Sequence, residues 1–173
     1  MVNWYKLAQK KIMFVLRGIS GAGKSTKSKE LAGNHPENIF SSDDLISTDD
    51  KEYIEFFEKM EEQDNWTPLV AVGKQNLKRA ITAMKAGKTP IIIDNLGIKA
   101  WNSKRYVEAA LKYGYEVVIV DIGMGGKTAE ELASRNRHGL TLKEIYRQIE
   151  KYEKEGPLTV EKILNSEIPD DKK

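Results

Sequence analysis

The stretch Gly18-Ile19-Ser20-Gly21-Ala22-Gly23-Lys24-Ser25 satisfies the pattern G-x-x-x-x-G-K-[ST]. The apolar run Ile12–Leu16 comes just before it and predicts a buried strand, whereas Thr26–Ala32, just after it, predicts the first turns of a helix. A strand, a glycine-rich loop and a helix N-terminus in this order form the context that a phosphate-binding loop requires. The sequence therefore predicts a binding site for a nucleoside triphosphate.

The residue types of this loop each suit part of a triphosphate. Its glycines let the backbone N–H groups approach an anion closely. The ammonium group of Lys24 would reach the β- and γ-phosphates, and the Ser25 hydroxyl would complete the coordination shell of Mg²⁺. The residues predicted to bind the nucleotide are Gly18, Ser20, Gly21, Ala22, Gly23, Lys24, Ser25 and Thr26.

Composition restricts the remaining chemistry. The chain has 173 residues, of which 40% are apolar and 31% charged, and this favours a single globular domain over residues 1–173. Since there is no cysteine, disulfides, thiol catalysis and zinc–cysteine sites are excluded.

The formal net charge of +2 does not by itself indicate a nucleic-acid-binding protein. No apolar run approaches the length of a membrane span, so we expect a cytoplasmic protein without a membrane partner. The sequence does not indicate the oligomeric state.

Predicted strands and helices alternate along the chain. The strands are Ile12–Leu16, Asn38–Ser41, Pro90–Ile93 and Tyr115–Val120, and the helices are Lys24–Ala32, Glu52–Glu61, Leu69–Ala86, Ala100–Tyr113, Thr128–Asn136 and Thr141–Glu155. This order predicts an α/β domain with a parallel sheet of about four strands flanked by helices. The predicted core covers residues 11–155. Residues 1–10 and 156–173 are expected to be peripheral, and the charged C-terminal end is expected to fray.

Ligands of parallel sheets bind beyond the carboxyl ends of the strands. Asp43 and Asp44 follow the second predicted strand, and Asp94 and Asn95 follow the third. The fourth leads through a glycine-rich stretch to the segment Arg135–Gly139, which contains Arg135 and Arg137. A phosphate-binding loop, two acidic positions and a pair of arginines at one edge are what a phosphoryl-transfer enzyme needs.

Each of these positions also has a purely structural interpretation. Asp43 and Asp44 could cap a helix that begins near Leu45. Asp94 either supports Mg²⁺ or is a turn residue, and the two arginines either contact phosphate or pair with acidic residues of their own helix. His138, which precedes a glycine, favours a helix C-terminal cap over a catalytic base.

The motifs together resemble the 5′-polynucleotide kinase branch of the P-loop kinases, which includes phage polynucleotide kinases and kinase domains of eukaryotic Nedd-binding proteins. The residues that match are Arg17-Gly18 and Gly21–Thr26, Phe40–Asp44, Ile91–Asn95, Ala100-Trp101, Tyr106-Val107, Gly114–Val117, Glu131–Ala133, Arg135–Gly139 and Tyr152-Glu153. The similarity extends from about residue 11 to residue 155. The phosphate-binding loop is common to many NTPases, whereas the other motifs in combination are more specific.

The resemblance implies transfer of the γ-phosphate of ATP, with Mg²⁺, to a 5′-hydroxyl of DNA or RNA. Asp43 would then be the general base, and Thr26 would contact the α-phosphate. Arg137, together with Arg135, would reach the phosphates from a helical lid, and Asp94 would support the metal. Substrate contacts would come from Asp43, Asp44, Asn95 and Asn76, the last of which matches an asparagine of the family.

The predicted acceptor side departs from the family pattern. Ile46 stands where phage enzymes have an arginine, Leu96-Gly97 replaces two polar residues, and Gly73 and Gln75 stand where a His and a Trp are common. Besides the polynucleotide kinase, two hypotheses therefore stay open: a kinase of a smaller acceptor, such as a nucleoside, nucleotide or sugar derivative, and an ATP-binding regulatory module. A basic groove for nucleic acid would separate them, with Lys74, Lys78, Arg79 and Lys85 of one predicted helix as its candidates.

Overall fold

A four-stranded parallel sheet forms the centre of the molecule. A computed structural model describes residues 10–173; most of the N-terminal segment predicted to be peripheral, residues 1–9, lies outside the described residues. The strands are β1 (Ile12–Gly18), β2 (Ile39–Phe40), β3 (Ile91–Ile93) and β4 (Glu116–Gly123). Their order across the sheet is β2-β3-β1-β4, and every pairing is parallel. This confirms the predicted fold class.

Seven α-helices accompany the sheet in the described part of the chain. They are α1 (Lys24–Ala32), α2 (Asp50–Glu62), α3 (Thr67–Lys85), α4 (Ala100–Lys112), α5 (Ala129–Arg135), α6 (Leu142–Glu155) and α7 (Val160–Asn165). Short 3₁₀ turns occupy Pro36–Asn38, Asp43–Leu45 and Asp170–Lys172. The predicted helices differ from these bounds by one or two residues at most of their ends, where helices fray.

The two faces of the sheet pack against different helices because side chains alternate along a strand. Met13 and Val15 of β1 belong to a large buried cluster with residues of α3 and α4. Leu16, which points to the opposite face, joins Ala32 of α1 and Ile92 of β3 in a second cluster. β3 is covered on both faces, which explains its uninterrupted isoleucines.

The C-terminal segment is part of the core. Ile163 of α7 is fully buried in the large cluster, and Leu158 and Val160 pack against it. Lys104 of α4 donates a hydrogen bond from Nζ to the carbonyl oxygen of Ser166 at 2.6 Å. The expectation that residues 156–173 are peripheral is therefore wrong for α7. Its apolar residues cover the outer side of α4, and such a short stretch gives a weak periodic signal in sequence.

Among residues 10–173, no helix combines the length and the apolar character that crossing a membrane requires.

Candidate active site

The glycine-rich loop connects β1 to α1 and exposes the start of that helix. Gly21 and Gly23 have φ values of +81° and +108°, which residues with side chains rarely adopt. Gly23 is the N-cap residue of α1 and offers no side-chain hydrogen bond to it. The first N–H groups of a helix have no intrahelical acceptor, and the helix dipole favours an anion near them. The loop therefore presents free backbone donors where a phosphate would bind.

Lys24 lies folded back along the loop. Its Nζ donates hydrogen bonds to the carbonyl oxygens of Gly18, at 3.0 Å, and Ile19, at 3.1 Å. Burial lowers the pKa of Lys24, while the nearby charges of Asp94 and Asp43 act in the opposite direction. An incoming phosphate would complete the neutralisation of this buried ammonium group.

Asp94 is a buried acidic residue beside the start of α1. The residue is only 7% exposed, and its carboxylate accepts a hydrogen bond from the hydroxyl of Ser28, on α1, at 2.8 Å. Burial raises the pKa of Asp94, and the hydrogen bond from Ser28 and the charge of Lys24 partly offset this rise. Asp94 thus faces the helix that begins with Lys24 and Ser25.

These residues fit a magnesium ion that is shared with a triphosphate. No group of three or more His, Cys, Asp or Glu side chains that could hold a metal exists within residues 10–173. Mg²⁺ at phosphate sites needs no such cage, since it takes one or two protein oxygens, phosphate oxygens and water. The Ser25 hydroxyl and the Asp94 carboxylate would supply the protein oxygens, as the sequence predicts.

Helix α5 covers the loop. A Cβ atom built on Gly21 would lie 2.6 Å from the carbonyl oxygen of Leu132, so the two backbones touch. Lys127 donates from Nζ to the carbonyl oxygen of Ala22 at 3.4 Å, and Arg135 donates from Nε to that of Gly21 at the same distance. The position of α5 agrees with the predicted helical lid, and Arg135 lies on the loop itself.

Asp43 occupies the opposite side of the site and contacts two side chains from other elements. Tyr53 of α2 donates from its hydroxyl to Oδ1 at 3.1 Å, and Nε2 of His138 lies 3.4 Å from Oδ2. The rings of Tyr53 and His138 lie against each other with their centroids 4.2 Å apart. Burial and the neighbouring Asp43 raise the pKa of Tyr53, so its hydroxyl stays a proton donor. The Asp43 side chain is still 47% exposed and can receive a substrate proton.

The structure excludes the helix-cap interpretation of Asp43. Asp43 begins a short 3₁₀ turn, but its carboxylate points to Tyr53 and His138 and caps no helix. The nearest α-helix, α2, is capped by the side chain of Asp49, which accepts from the N–H groups of Lys51 and Glu52. Asp44 is exposed beside Asp43.

Arg137 does not lie on the loop in this structure. Its Nη2 forms an exposed ion pair with Oδ1 of Asp50, on α2, at 3.1 Å, and the arginine side chain is 71% exposed. The predicted alternative pairing with acidic residues of its own helix does not occur either. Arg137 thus connects the segment after α5 with α2, the helix that contributes Tyr53 to Asp43.

Asn95 and Asn76 belong to a polar chain that reaches the residue before Asp43. Asn95 accepts from the N–H of Ser42 at 3.0 Å, and both asparagines donate to the hydroxyl of Tyr106. Asn76 is fully buried, so it contacts this chain and not solvent. Its position corrects the prediction of a direct substrate contact, because a side chain that is buried in this way can only position others.

Sequence reasoning missed His138, Tyr53 and Gln148. His138 is no helix cap, since α5 ends with Asn136 as its cap residue. Gln148 of α6 accepts the N–H of Ser20, in the loop, at 3.0 Å. The histidine lies within the Arg135–Gly139 run, which could have drawn attention to it, whereas nothing in the spacing of Tyr53 or Gln148 indicates a site.

A buried ion pair fixes the strand that leads into the loop. Arg17 is 1% exposed and pairs with Asp121 of β4 at 2.7 Å. The centre of its guanidinium group lies 3.9 Å from the ring centroid of Tyr152, on α6, whose hydroxyl also donates to Asp121. Because the charge is paired and hydrogen-bonded, its burial is tolerated. The network ties α6 to the residue directly before Gly18.

Comparison with known proteins agrees with this geometry. A family model described as AAA domain matches residues 13–154. The chain belongs to the AAA domain family. This AAA domain is a P-loop, kinase-like nucleotide-binding domain, and such a domain implies a nucleotide bound with a metal ion. The chain is also 32% identical to human NEDD4-binding protein 2 over 160 residues, which are 92% of this chain. The chain spans 8% of the length of that relative.

Proposed function

We propose that this AAA domain transfers the γ-phosphate of ATP, with Mg²⁺, to the 5′-hydroxyl of DNA or RNA. The observation that supports this most is the Asp43 carboxylate, which Tyr53 and His138 hold beyond the end of β2, at the same edge of the sheet as the loop. A phosphate bound on the loop and a hydroxyl beside Asp43 would lie on facing sides of one site. The resemblance in sequence to polynucleotide kinases supports the polynucleotide as the acceptor.

The nucleotide side would bind and orient the triphosphate. The N–H groups at the start of α1 would hold phosphate oxygens, and Lys24 would neutralise charge on the β- and γ-phosphates. Mg²⁺, when bound between Ser25 and Asp94, supplies charge neutralisation on the phosphates. Thr26, exposed in the first turn of α1, is placed to contact the α-phosphate.

On the acceptor side, Asp43 would take the proton of the attacking hydroxyl. The hydroxyl oxygen then forms a bond to the γ-phosphorus, the bond between that phosphorus and the β–γ bridging oxygen breaks, and ADP leaves. Tyr53 and His138 hold the carboxylate in one orientation. A base that is held in place meets the hydroxyl in a reactive geometry more often than a mobile one does.

The lid would supply positive charge as the transition state forms. Arg135 already contacts the loop at Gly21, and Arg137 lies two residues further on, paired with Asp50. We propose that Arg137 exchanges Asp50 for phosphate when the nucleotide and the acceptor are both bound. The exposed pair with Asp50 is weak, on the order of 0.2–1 kcal/mol, so a phosphate competes with it readily.

One departure from the family pattern has a structural cause that involves no acceptor. Gly97 has a φ of +60°, and a Cβ atom there would lie 2.7 Å from the carbonyl oxygen of Leu16. Strand β1 therefore requires a glycine at this position, whichever acceptor the enzyme uses. Gly97 thus does not favour a small acceptor over a polynucleotide.

The test is transfer of labelled γ-phosphate from ATP, with Mg²⁺, to 5′-hydroxyl oligonucleotides of DNA and RNA. Nucleosides serve as small acceptors in parallel, and the variants Lys24→Ala and Asp43→Asn are included. We expect labelled oligonucleotide from the native chain and none from Lys24→Ala. Asp43→Asn should lower transfer by about 10²–10⁴-fold with nearly unchanged ATP affinity, as for the loss of a general base. Label on nucleosides but not on oligonucleotides would overturn the proposal. Hydrolysis of ATP without transfer of label to either acceptor would also overturn it.

A further inference from the structure

A groove runs along the free edge of the sheet, beside the acceptor side of the site. It has a volume of about 500 Å³ and lies between α3 and the β2 edge, with Phe40, Gln75, Lys78, Arg79 and Lys88 among its lining residues. β2 is the edge strand of the sheet, and it leads within three residues to Asp43. Phe40, which lines the groove, is therefore three residues along the chain from the carboxylate that would activate the acceptor.

The charge of the groove is predominantly positive. Lys78, Arg79 and Lys88 line it, and Glu37 is the one acidic residue among the described lining residues. The exposed Glu37 carboxylate already has a basic neighbour, since Nδ1 of His35 lies 3.2 Å from its Oε1. The pKa of Glu37 is lowered, first by a hydrogen bond from its own backbone and then by His35 and Lys88. Two cations, Lys78 and Arg79, therefore face the groove without a carboxylate within ion-pair distance among residues 10–173.

Arg79 is held in place, although no acidic residue among residues 10–173 pairs with it. Its guanidinium carbon lies 5.7 Å from the ring centroid of Phe40, and its Nη1 donates to Oδ1 of Asn76 at 3.5 Å. A half-buried guanidinium group has five N–H donors, and this one uses a single long hydrogen bond within the described residues. A guanidinium group that is held in place, and that no carboxylate of residues 10–173 neutralises, can form two parallel hydrogen bonds to a phosphate.

A hydrogen-bonded chain connects this arginine with the acceptor side. Asn76 donates to the hydroxyl of Tyr106 at 3.1 Å, and Asn95 donates to the same hydroxyl at 3.4 Å. Asn95 in turn accepts from the N–H of Ser42, the residue before Asp43. The position of Arg79 is thus fixed relative to Asp43 by a continuous set of contacts.

We propose that this groove holds the phosphodiester backbone of a single-stranded acceptor, with Arg79 on a phosphate close to the reacting end and Lys78 on a neighbouring one. The proposal rests on the proposed function, since it takes the 5′ end to lie at Asp43. From Gln75 to Ala86 the helix rises about 16 Å. At the ~3.4 Å rise of a stacked strand, this length accommodates roughly five nucleotides.

The recognition would be independent of sequence. The groove offers cations and a few polar side chains, and the ring of Phe40 is buried, so no aromatic platform is available for the bases among the described lining residues. Contacts to phosphates give an affinity that falls with salt, and each phosphate contact contributes a slope of about −0.7 to the logarithm of the affinity for single strands.

The experiment uses the whole chain with a fluorescent 5′-hydroxyl single strand of about ten nucleotides. Binding is measured by anisotropy over a range of salt concentrations for the native chain and for Arg79→Gln and Lys78→Gln. The matched controls are Lys74→Gln and Lys85→Gln, which remove the same charge from positions of the same helix outside the groove lining. We expect each groove variant to weaken binding by about three- to tenfold and to make the salt slope shallower by about 0.7, with little change in the controls.

A second measurement follows KM for phosphate transfer as the acceptor is lengthened from one to ten nucleotides. In the native chain KM should fall up to about five nucleotides and then level off. Arg79→Gln should flatten this dependence, whereas the control variant Lys74→Gln should keep the native dependence. If Arg79→Gln unfolds at a lower temperature than the native chain, Arg79→Lys is used in its place. Lysine keeps the positive charge and removes only the forked arrangement of N–H donors.

The outcomes separate the two proposals. The groove proposal would be overturned if the groove and control variants weakened binding of the strand equally. It would also be overturned if the chain bound an acidic peptide more tightly than the oligonucleotide. If the chain still transfers phosphate to oligonucleotides in that case, the proposed function stands without the groove. Groove-dependent binding of the strand without any transfer would support the groove and overturn the kinase proposal. No binding of single strands by the native chain would overturn the groove outright.

Discussion

The nucleotide side and the acceptor side of the site are built in different ways. The nucleotide side consists mostly of one continuous stretch, from β1 through the glycine loop into α1, with Asp94 buried against it. The acceptor side brings together Asp43, Tyr53 of α2 and His138 of the segment after α5, and its carboxylate is half exposed. Binding phosphate requires a fixed backbone geometry, whereas receiving an acceptor requires an open surface whose parts come from several elements.

Apart from the loss of Lys24 or Asp43 themselves, a change at the contact between loop and lid should give the largest effect. Gly21→Ala forces a side chain into a conformation with φ of +81° and against the carbonyl oxygen of Leu132. The conformation alone costs about 1–2 kcal/mol, and a shift of about 1 Å in the loop is expected to lower turnover by roughly 10²-fold. The measurement is ATP affinity by calorimetry, together with turnover and thermal unfolding.

Gly126→Ala is the matched control for this variant. Gly126 has a φ of +71°, and no atom of the described residues lies within 4 Å of the position that its Cβ would take. This variant therefore has the conformational cost without the steric contact. We expect Gly126→Ala to lower stability and to preserve ATP affinity. If Gly21→Ala bound ATP with native affinity, the loop would not have the fixed backbone geometry that we ascribe to the nucleotide side.

On the acceptor side, removal of one support of Asp43 should have a moderate effect. Tyr53→Phe deletes a hydrogen bond to a charged group, which contributes about 1.5–3 kcal/mol, and His138→Gln replaces the second contact. We expect kcat for transfer to fall by roughly tenfold in either variant, with KM for ATP unchanged.

Tyr146→Phe provides the control, because the Tyr146 hydroxyl donates to Glu130 at 3.1 Å, far along the chain from Asp43. It should leave kcat as it is. If Tyr53→Phe raises KM for ATP as much as it lowers kcat, Tyr53 supports the whole site and not the acceptor carboxylate, and the two sides are not separable.

A smaller, pH-dependent effect is expected from Asp94. Burial raises its pKa, so in the folded chain the carboxylate takes up a proton at a higher pH than an exposed aspartate, whose pKa is about 3.9. Mg²⁺ binds the ionised form, so acidification from about pH 7 to about pH 5 should raise the Mg²⁺ concentration needed for half-maximal nucleotide binding by several-fold. Calorimetric titration with a non-hydrolysable ATP analogue measures this, and Asp94→Asn should bind Mg²⁺ weakly at every pH. A flat profile in the native chain would remove Asp94 from the metal site.

Gly73→Ala should have the smallest effect. Gly73 lies inside α3, and no atom of residues 10–173 lies within 4 Å of the position that a Cβ would take. Alanine should therefore stabilise the fold by about 0.5–1 kcal/mol, with acceptor KM unchanged, as thermal unfolding and transfer assays would show. Gly114→Ala, at a φ of +77° with equally open surroundings, should instead destabilise it. A rise in acceptor KM for Gly73→Ala would place the substrate against this part of α3.

The prediction of the fold from sequence succeeded where one continuous segment contains the signal. The helix after the glycine loop was predicted with its observed bounds, Lys24–Ala32, and the strand before the loop was predicted two residues too short at its C-terminal end. The isoleucines of β3 indicated burial on both faces. Short elements at the margins were harder. α7 has six residues, and its burial depends on the surface that α4 offers to it.

The sequence by itself determined the α/β class and the phosphate-binding loop, because glycines that adopt positive φ, a lysine and a helix start are local features. It also placed Asp43 and Asp94 at one edge, since parallel strands end on the same side. Only the tertiary structure decided that Tyr53 and His138 meet at Asp43, that Asn76 is buried, and that Arg79 faces a groove without an acidic partner among the described residues. The contacts at Asp43 join residues 10 to 95 positions apart in the chain, and their formation depends on how α2, α3 and the segment after α5 pack, which no local pattern specifies.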